Sequence, residues 1–208
     1  MFFIGVDLGQ KVDFTAIAVV EKRSESRILY VRHLERMGLG TPYTDIVRRI
    51  SAMLWHPKLV GQARVVVDAT GVGTPVVDLL RAEGVGGNVT ALTITSGEKV
   101  TGSSEQWGVP RKDLLASVEV LIEAGRLEIA RKLKEAERLV KELQAMRANG
   151  KGGEHDDLVF ALALACWRAR FGEAGFRDKP LLDFGVAPEG FARVGEDWDP
   201  KRFQGNWG

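Results

Sequence analysis

The sequence predicts an α/β fold, a mixed sheet with helices on both of its faces. Three observations predict it. The chain opens with three apolar runs, FFIGVDLG (2–9), FTAIAVVEK (14–22) and RILYVRHLER (27–36), joined by the short polar connectors QKVD and RSES. Helical and β-branched patterns then alternate as far as residue 95. Near the end lies KGGEHDDLVFALALACW (151–167), where a run of acids gives way to a helix apolar on nearly every side.

Taken in order, the three opening runs read as an antiparallel meander, because their connectors are too short for a crossover. Residues 44–55 place Ile46, Val47, Ile50, Met53 and Leu54 at helical spacing. ARVVVDATG (63–71) is a short β-branched run ending in acid and glycine, the pattern of a buried strand. A helix follows over 74–83, with Pro75 in its first turn, where a missing N–H costs nothing. NVTALTIT (88–95) is the next strand, and the polar, glycine-rich segment 96–109 reads as a mobile loop or an exposed hairpin. Helices are expected over 110–124 and 132–146, with RLEIA (126–130) between them able to add a short strand. The apolar helix then runs to about Arg170. Residues 172–208 are rich in Gly, Pro, Asp and Arg and lack periodicity, so the expected organisation is one domain over 1–171 and an irregular tail over 172–208, tied down through Phe184, Phe191, Trp198 or Trp207.

Composition narrows the function classes. With a net charge of +1, no global field argues for or against nucleic acid, and any basic surface must be local. The single cysteine, Cys166, excludes an intramolecular disulfide and a cysteine-based zinc cluster, and its place in the apolar helix marks it as a core residue. No signal peptide and no membrane-length apolar run is present, and the first strand begins almost at once, so no membrane is expected as a partner and the default setting is the cytoplasm.

In a meander followed by αβαβ, the first strand and the strand at 65–68 can be parallel neighbours where the direction of chain progression reverses. Ligands of open α/β sheets bind at the carboxyl ends of strands at such a point. Asp7 ends the first of these strands and Asp68 the other. The start of the apolar helix can bring Asp156 or Asp157 to the same crevice. Capping of orphan N–H groups accounts for one of these two acids. Three converging carboxylates are costly without a cation, and an all-oxygen donor set suits Mg²⁺ or Mn²⁺. Two such ions about 4 Å apart activate water and stabilise the leaving oxygen in phosphodiester cleavage.

The motifs are specific at this point. GVDLGQKVDFTAIAVV (5–20), VVVDATGVGTPVVDLL (65–80) and GEHDDLVFALALA (153–165) resemble the nuclease domain of tailed-phage large terminases, within the ribonuclease H-like (retroviral integrase-like) superfamily. VPRKDLLASVEVLIEAGRLEI (109–129) follows the same pattern. The resemblance implies a five-stranded mixed sheet of order 3-2-1-4-5 with strand 2 antiparallel. It implies an endonuclease that cuts double-stranded DNA with two Mg²⁺ or Mn²⁺ ions, as in phage DNA packaging, inside a bacterial host. By motif position Asp7, Asp68 and one of the Asp156/Asp157 pair would be the catalytic metal ligands. Adjacent helical residues point about 100° apart, so both need not serve one metal, and Asp157 is preferred as the main ligand with Asp156 auxiliary. Asp13, expected to face Asp7 across the first hairpin, is either a further auxiliary ligand or an ordinary turn residue.

Lys99, Arg111, Lys112, Lys151 and His155 are candidates for contact with DNA. His155 reads more often as a helix-start residue, and the basic residues of the penultimate helix read as a solvated face. Gly71 and Gly73 either admit DNA to the backbone or shape the strand-to-helix turn. The chain lacks the GxxxxGK[ST] phosphate loop of the ATPase that precedes the nuclease in a large terminase, so it reads as an excised domain or a stand-alone relative. In the first case the ATPase domain and portal are expected partners. Other readings are a nuclease like the Holliday-junction resolvases, a non-cutting DNA-binding module of the same fold, and an ATP-binding protein of the actin or sugar-kinase kind. The last needs two such domains to clasp its nucleotide.

Overall fold

The computed structural model describes residues 1–9, 13–71, 73–103, 105–149, 156–171 and 191–193. Its centre is the expected sheet. Strands β1 (Phe2–Asp7), β2 (Ala16–Lys22), β3 (Leu29–Arg36), β4 (Ala63–Asp68) and β5 (Val89–Thr95) lie in the order β5-β4-β1-β2-β3. β2 is antiparallel to both of its neighbours, and β4 runs parallel to β1 and β5.

The sheet extends beyond the five expected strands to nine among the described residues. The glycine-rich segment is a hairpin, β6 (Thr101–Ser103) and β7 (Gln106–Pro110), and β7 pairs in parallel with β5. Trp107 and Val109 alternate with polar Gln106 and small Gly108. That is a period-2 pattern too short to stand out in a polar stretch, but it turns two apolar side chains toward the core. On the other side, β8 (Leu127–Ala130) pairs in parallel with β3, as its composition suggested, and β9 (Phe191–Arg193) adds antiparallel to β8. The expected tail therefore contributes at least this strand.

Helices cover both faces. α1 (Tyr43–Leu54) and α2 (Gly73–Ala82) pack on the face lined by Ile4, Val6, Ile17, Val19, Val65 and Val67. α3 (Arg111–Glu123), α4 (Ala136–Asn149) and α5 (Asp157–Arg170) cover the face lined by Phe3, Ala16, Ala18, Val66 and Leu92. α4 starts four residues later than its pattern suggests, because 132–135 form turns. No helix among the described residues is long and apolar enough to cross a membrane.

α5 lies directly on β1 and β2, flanked by α3 and α4, which explains why it is apolar all round. One residue makes this packing possible. A Cβ at Gly5 would stand 1.9 Å from the Ala161 carbonyl oxygen and 2.7 Å from the Ala165 amide nitrogen. The helix backbone rests on a strand position with no side chain, which is what an interior strand glycine permits.

Candidate metal centre

Alternation along the strands decides where the acids point. Residues 3, 5 and 7 of β1 face α5, as do 66 and 68 of β4 and Ala16 of β2. Asp7 and Asp68 are thus the last α5-facing positions of two adjacent parallel strands, one step beyond the paired residues Val6 and Val67. Asp157 opens α5, one helical turn before the Ala161 carbonyl that rests on Gly5. The close seating of α5 on β1 is therefore what holds Asp157 near Asp7.

The electrostatics are those of a cluster. Burial, and then the charges of Asp68, Asp157, Asp156 and Asp13 in that order, push the Asp7 carboxyl well above its ordinary range. Burial also raises Asp68, against the pull of the hydrogen bond its Oδ1 accepts from the Thr70 N–H at 2.8 Å. Burial raises Asp156, against the pull of Arg111. Among the described residues no three His, Cys, Asp or Glu side chains gather at the spacing of a coordination sphere. Two of the acids are instead held by arginines. Arg111 Nη2 donates to Asp156 Oδ2 at 2.8 Å, with its guanidinium 4.2 Å from the centre of the Phe160 ring. Arg36 Nε donates to Asp157 Oδ2 at 2.8 Å, and Arg36 Nη2 lies 2.6 Å from the same oxygen.

Neither adjacent acid caps the helix. Asp156 occupies the N-cap position but makes no side-chain capping hydrogen bond. The N–H groups of Leu158 and Val159, which an N-cap side chain would ordinarily take, donate to Glu142 Oε2 at 3.1 and 3.2 Å. Glu142 comes from α4 and is 8% exposed, and its Oε1 is buried with no hydrogen-bond partner among the described residues. Burial pushes its carboxyl up to about 7. With this cap supplied from outside, neither aspartate of the pair is used in capping, and both lie close enough to Asp7 to raise it.

The remaining candidates are not all gathered at this centre. Asp13 is exposed in the β1–β2 loop; the strand partner of Asp7 is Ala16, yet Asp13 is close enough to raise Asp7. Lys112 pairs with Glu98 at 2.9 Å, and Lys99 is exposed nearby. Lys151 and His155 lie outside the described residues. Gly73 shapes the turn after β4, since a Cβ there would meet the Asp68 carbonyl oxygen at 1.9 Å. Trp107 packs inward, 4.5 Å from Phe171 and 5.9 Å from Trp167 between ring centres. Cys166 is fully buried, and burial pushes its thiol up to about 12.

Sequence reasoning passed over Arg36, Glu142 and Gly5. Arg36 had a signal, because it is the last residue of a strand whose register runs Arg36–Ala16–Asp7 across three strands. Gly5 had one too, as a lone glycine inside an apolar strand. Glu142 looked like any other charge on an amphipathic helix.

The model of the terminase RNase H-like domain family matches residues 4–168. The large terminase subunit of Thermus phage G20c is 30% identical over 173 residues, covering 79% of this chain and 31% of that protein. That of Thermus virus P23-45 gives the same values. The chain thus spans about a third of the length of these curated relatives, 31%. Among solved structures, the nuclease domain of the bacteriophage SPP1 large terminase with bound Mn is similar at a TM-score of 0.54 and 11% identity, over 80% of this chain and 85% of that one. The human cytomegalovirus terminase nuclease domain, soaked with Mn, is similar at 0.52 and 16%, over 79% and 81%. At these identities the structural likeness is one of fold.

Proposed function

The chain belongs to the terminase RNase H-like domain family, and on that premise we propose that it is an endonuclease that hydrolyses phosphodiester bonds of double-stranded DNA with Mg²⁺ or Mn²⁺. The observation that carries this reading is the release of Asp156 and Asp157 from capping, which leaves them beside Asp7 and Asp68 in a crevice of mutually repelling carboxylates. A hard divalent cation relieves that repulsion, and the oxygen-only donor set fits one. Manganese in the SPP1 domain supports the same choice of ion.

Asp7, Asp68 and Asp157 are the principal ligands in this reading, with Asp156 and Asp13 auxiliary. Two ions held there supply activation of the attacking water and neutralisation of the leaving oxygen. Arg111, bonded to Asp156, is the basic residue placed to meet a phosphate beside the acids, while Lys99, which lies with Trp167 and Arg170 at the far end of α5, and Lys112 would meet DNA only further along its path. Lys151 and His155 remain candidates for the DNA path. The catalytic unit is taken as 1–171, with 172–208 as its tail. DNA is the substrate, and the ATPase domain and portal of a packaging machine are the partners this reading calls for, in a bacterial cytoplasm.

The test is plasmid cleavage with Mg²⁺ or Mn²⁺, wild type against Asp68→Asn. Asn keeps the shape and removes the charge, and the expected loss of rate is at least about a hundredfold, or about 2.7 kcal/mol in the barrier. Metal-dependent cutting that survives in Asp68→Asn would reject this site. A folded wild type that leaves duplex DNA intact and cuts a four-way junction would transfer the reading to a junction-resolving nuclease. One that cuts neither would leave a DNA-binding module.

A further inference from the structure

We propose that Arg36 and Glu142 form a brace that positions Asp157 for metal, Arg36 by fixing its carboxylate and Glu142 by fixing the start of the helix that carries it. The inference rests on the metal-dependent reading above and deepens it.

Arg36 is suited to this role by what surrounds it. Its side chain is 7% exposed and that of Asp157 is 8% exposed, so the pair is shielded from the solvent that makes surface ion pairs weak. Its guanidinium carbon lies 3.6 Å from the centre of the Phe14 ring, close enough for a cation–π contact that restricts the guanidinium plane. Both of its contacts with Asp157 fall on Oδ2. Among the described residues no hydrogen bond or ion pair engages Oδ1. One oxygen is thus anchored, and the other is left for a cation. Phe14 also adjoins Asp13 in the loop after β1, so the same arginine ties that loop to the acid cluster.

Glu142 acts at the backbone. It accepts the two N–H groups that orient the first turn of α5, and it does so from α4, 16 residues before Leu158. Its Oε2 is fixed by both donors at once, which sets the angle at which the helix start emerges over β1. Outer groups of this kind, which orient a ligand without touching the metal, typically govern metal affinity by about ten- to a hundredfold. Neither residue touches the reacting atoms in this reading, so both are positioning residues.

The experiment is a Mn²⁺ titration of wild type, Arg36→Lys, Glu142→Ala and Glu142→Gln, followed in two ways. One is the metal-induced rise in unfolding temperature; the other is the Mn²⁺ concentration giving half-maximal plasmid cleavage. Lys keeps the charge of Arg36 but loses the planar guanidinium, its Nε donor and its stacking. Arg36→Lys is expected to need about tenfold more Mn²⁺ by both readouts. Glu142→Ala is expected to need about tenfold more as well, and Gln, which keeps an acceptor oxygen of the same reach, recovers most of the difference.

A purely structural role would lower the metal-free unfolding temperature and leave half-saturating Mn²⁺ within about twofold of wild type; that result in folded Arg36→Lys overturns the brace. Should Glu142→Ala fail to fold, the Arg36→Lys and Glu142→Gln titrations decide alone. Failure of the underlying reading looks different. A wild type that neither cleaves nor gains stability with Mn²⁺ rejects the metal centre, and the brace with it.

Discussion

Two groups of acids on this sheet have opposite electrostatic fates. Beside α1, Glu35 is hydrogen-bonded to His33 at 2.9 Å and grips Arg49 through both of its oxygens. The His33 bond first, and then Arg49, hold its carboxyl down at about 2 in spite of burial. Glu21, on the same side, is lowered by Arg32 and Arg23 against the effect of burial. At the mouth of α5, Asp7, Asp68 and Asp156 are all raised, and Glu142 reaches about 7. Both regions contain arginines, so a supply of positive charge is not the difference. Near α1 each acid has more than one cationic or hydrogen-bonding partner of its own. At α5 two arginines serve a crowd of carboxylates, and burial is the largest influence on four of them. A fold selected for stability alone would not gather acids this way, and the excess negative charge is what the proposed metal centre would draw on.

The comparison is broken most forcefully through Gly5. Gly5→Ala puts a Cβ where the α5 backbone rests, so the helix must lift and take Asp157 away from Asp7. A loss of about 2–3 kcal/mol in urea denaturation is expected, together with loss of Mn²⁺-induced stabilisation. A variant as stable as wild type would show that α5 is seated less tightly than described.

Next in size is pH. For the raised group, a carboxyl with an ordinary value of 4.5 that stands near 7 in the folded protein contributes stability fully below 4.5, and that contribution is lost as pH rises through about 7. The lowered group has the opposite sign: Glu35 contributes above 4.5 and loses its contribution as pH falls through about 2. Metal-free protein should therefore lose about 1–2 kcal/mol between pH 4.5 and 7, with allowance for solvent screening, and saturating Mn²⁺ should offset the loss. Stability that rises across that window without metal would contradict the assignment.

Charge removal sharpens the contrast further. In metal-free protein at pH 7.5, Asp68→Asn is expected to gain about 1 kcal/mol by relieving repulsion, although it loses activity. Glu35→Gln, the smallest effect, is expected to lose about 0.5 kcal/mol, because it strands Arg49 in a partly exposed pair. Denaturation midpoints that moved in the same direction for both would erase the distinction between the two regions.

What could be read from the chain alone follows the range of the interactions. Asp7 and Asp68 were legible because each closes a strand, and strand ends at a topological switch are a local pattern. The depth of α5 was legible because its apolar residues leave no face for water. The direction of the two arginines was not. Arg36 meets Asp157 across 121 residues, and only the paired register of β1, β2 and β3 brings it into line. Glu142 was illegible for the same reason, since nothing in its own helix distinguishes it from Glu137. β7 escaped because five residues with two inward side chains do not outweigh the glycines and polar residues around them. The segment 132–135 read as helix from its composition, and only tertiary packing turns it into a corner.

The bare contact between Gly5 and α5 has a kinetic consequence as well. A helix whose backbone lies on the central strand, with α3 and α4 against its flanks, should open only when the whole domain opens, so its amides should be among the slowest to exchange with deuterium. Acids carried at the start of such a helix do not swing into place as a lid does. In the nuclease proposed above, the timing of a cut would then fall to the approach of the DNA rather than to a movement of the helix.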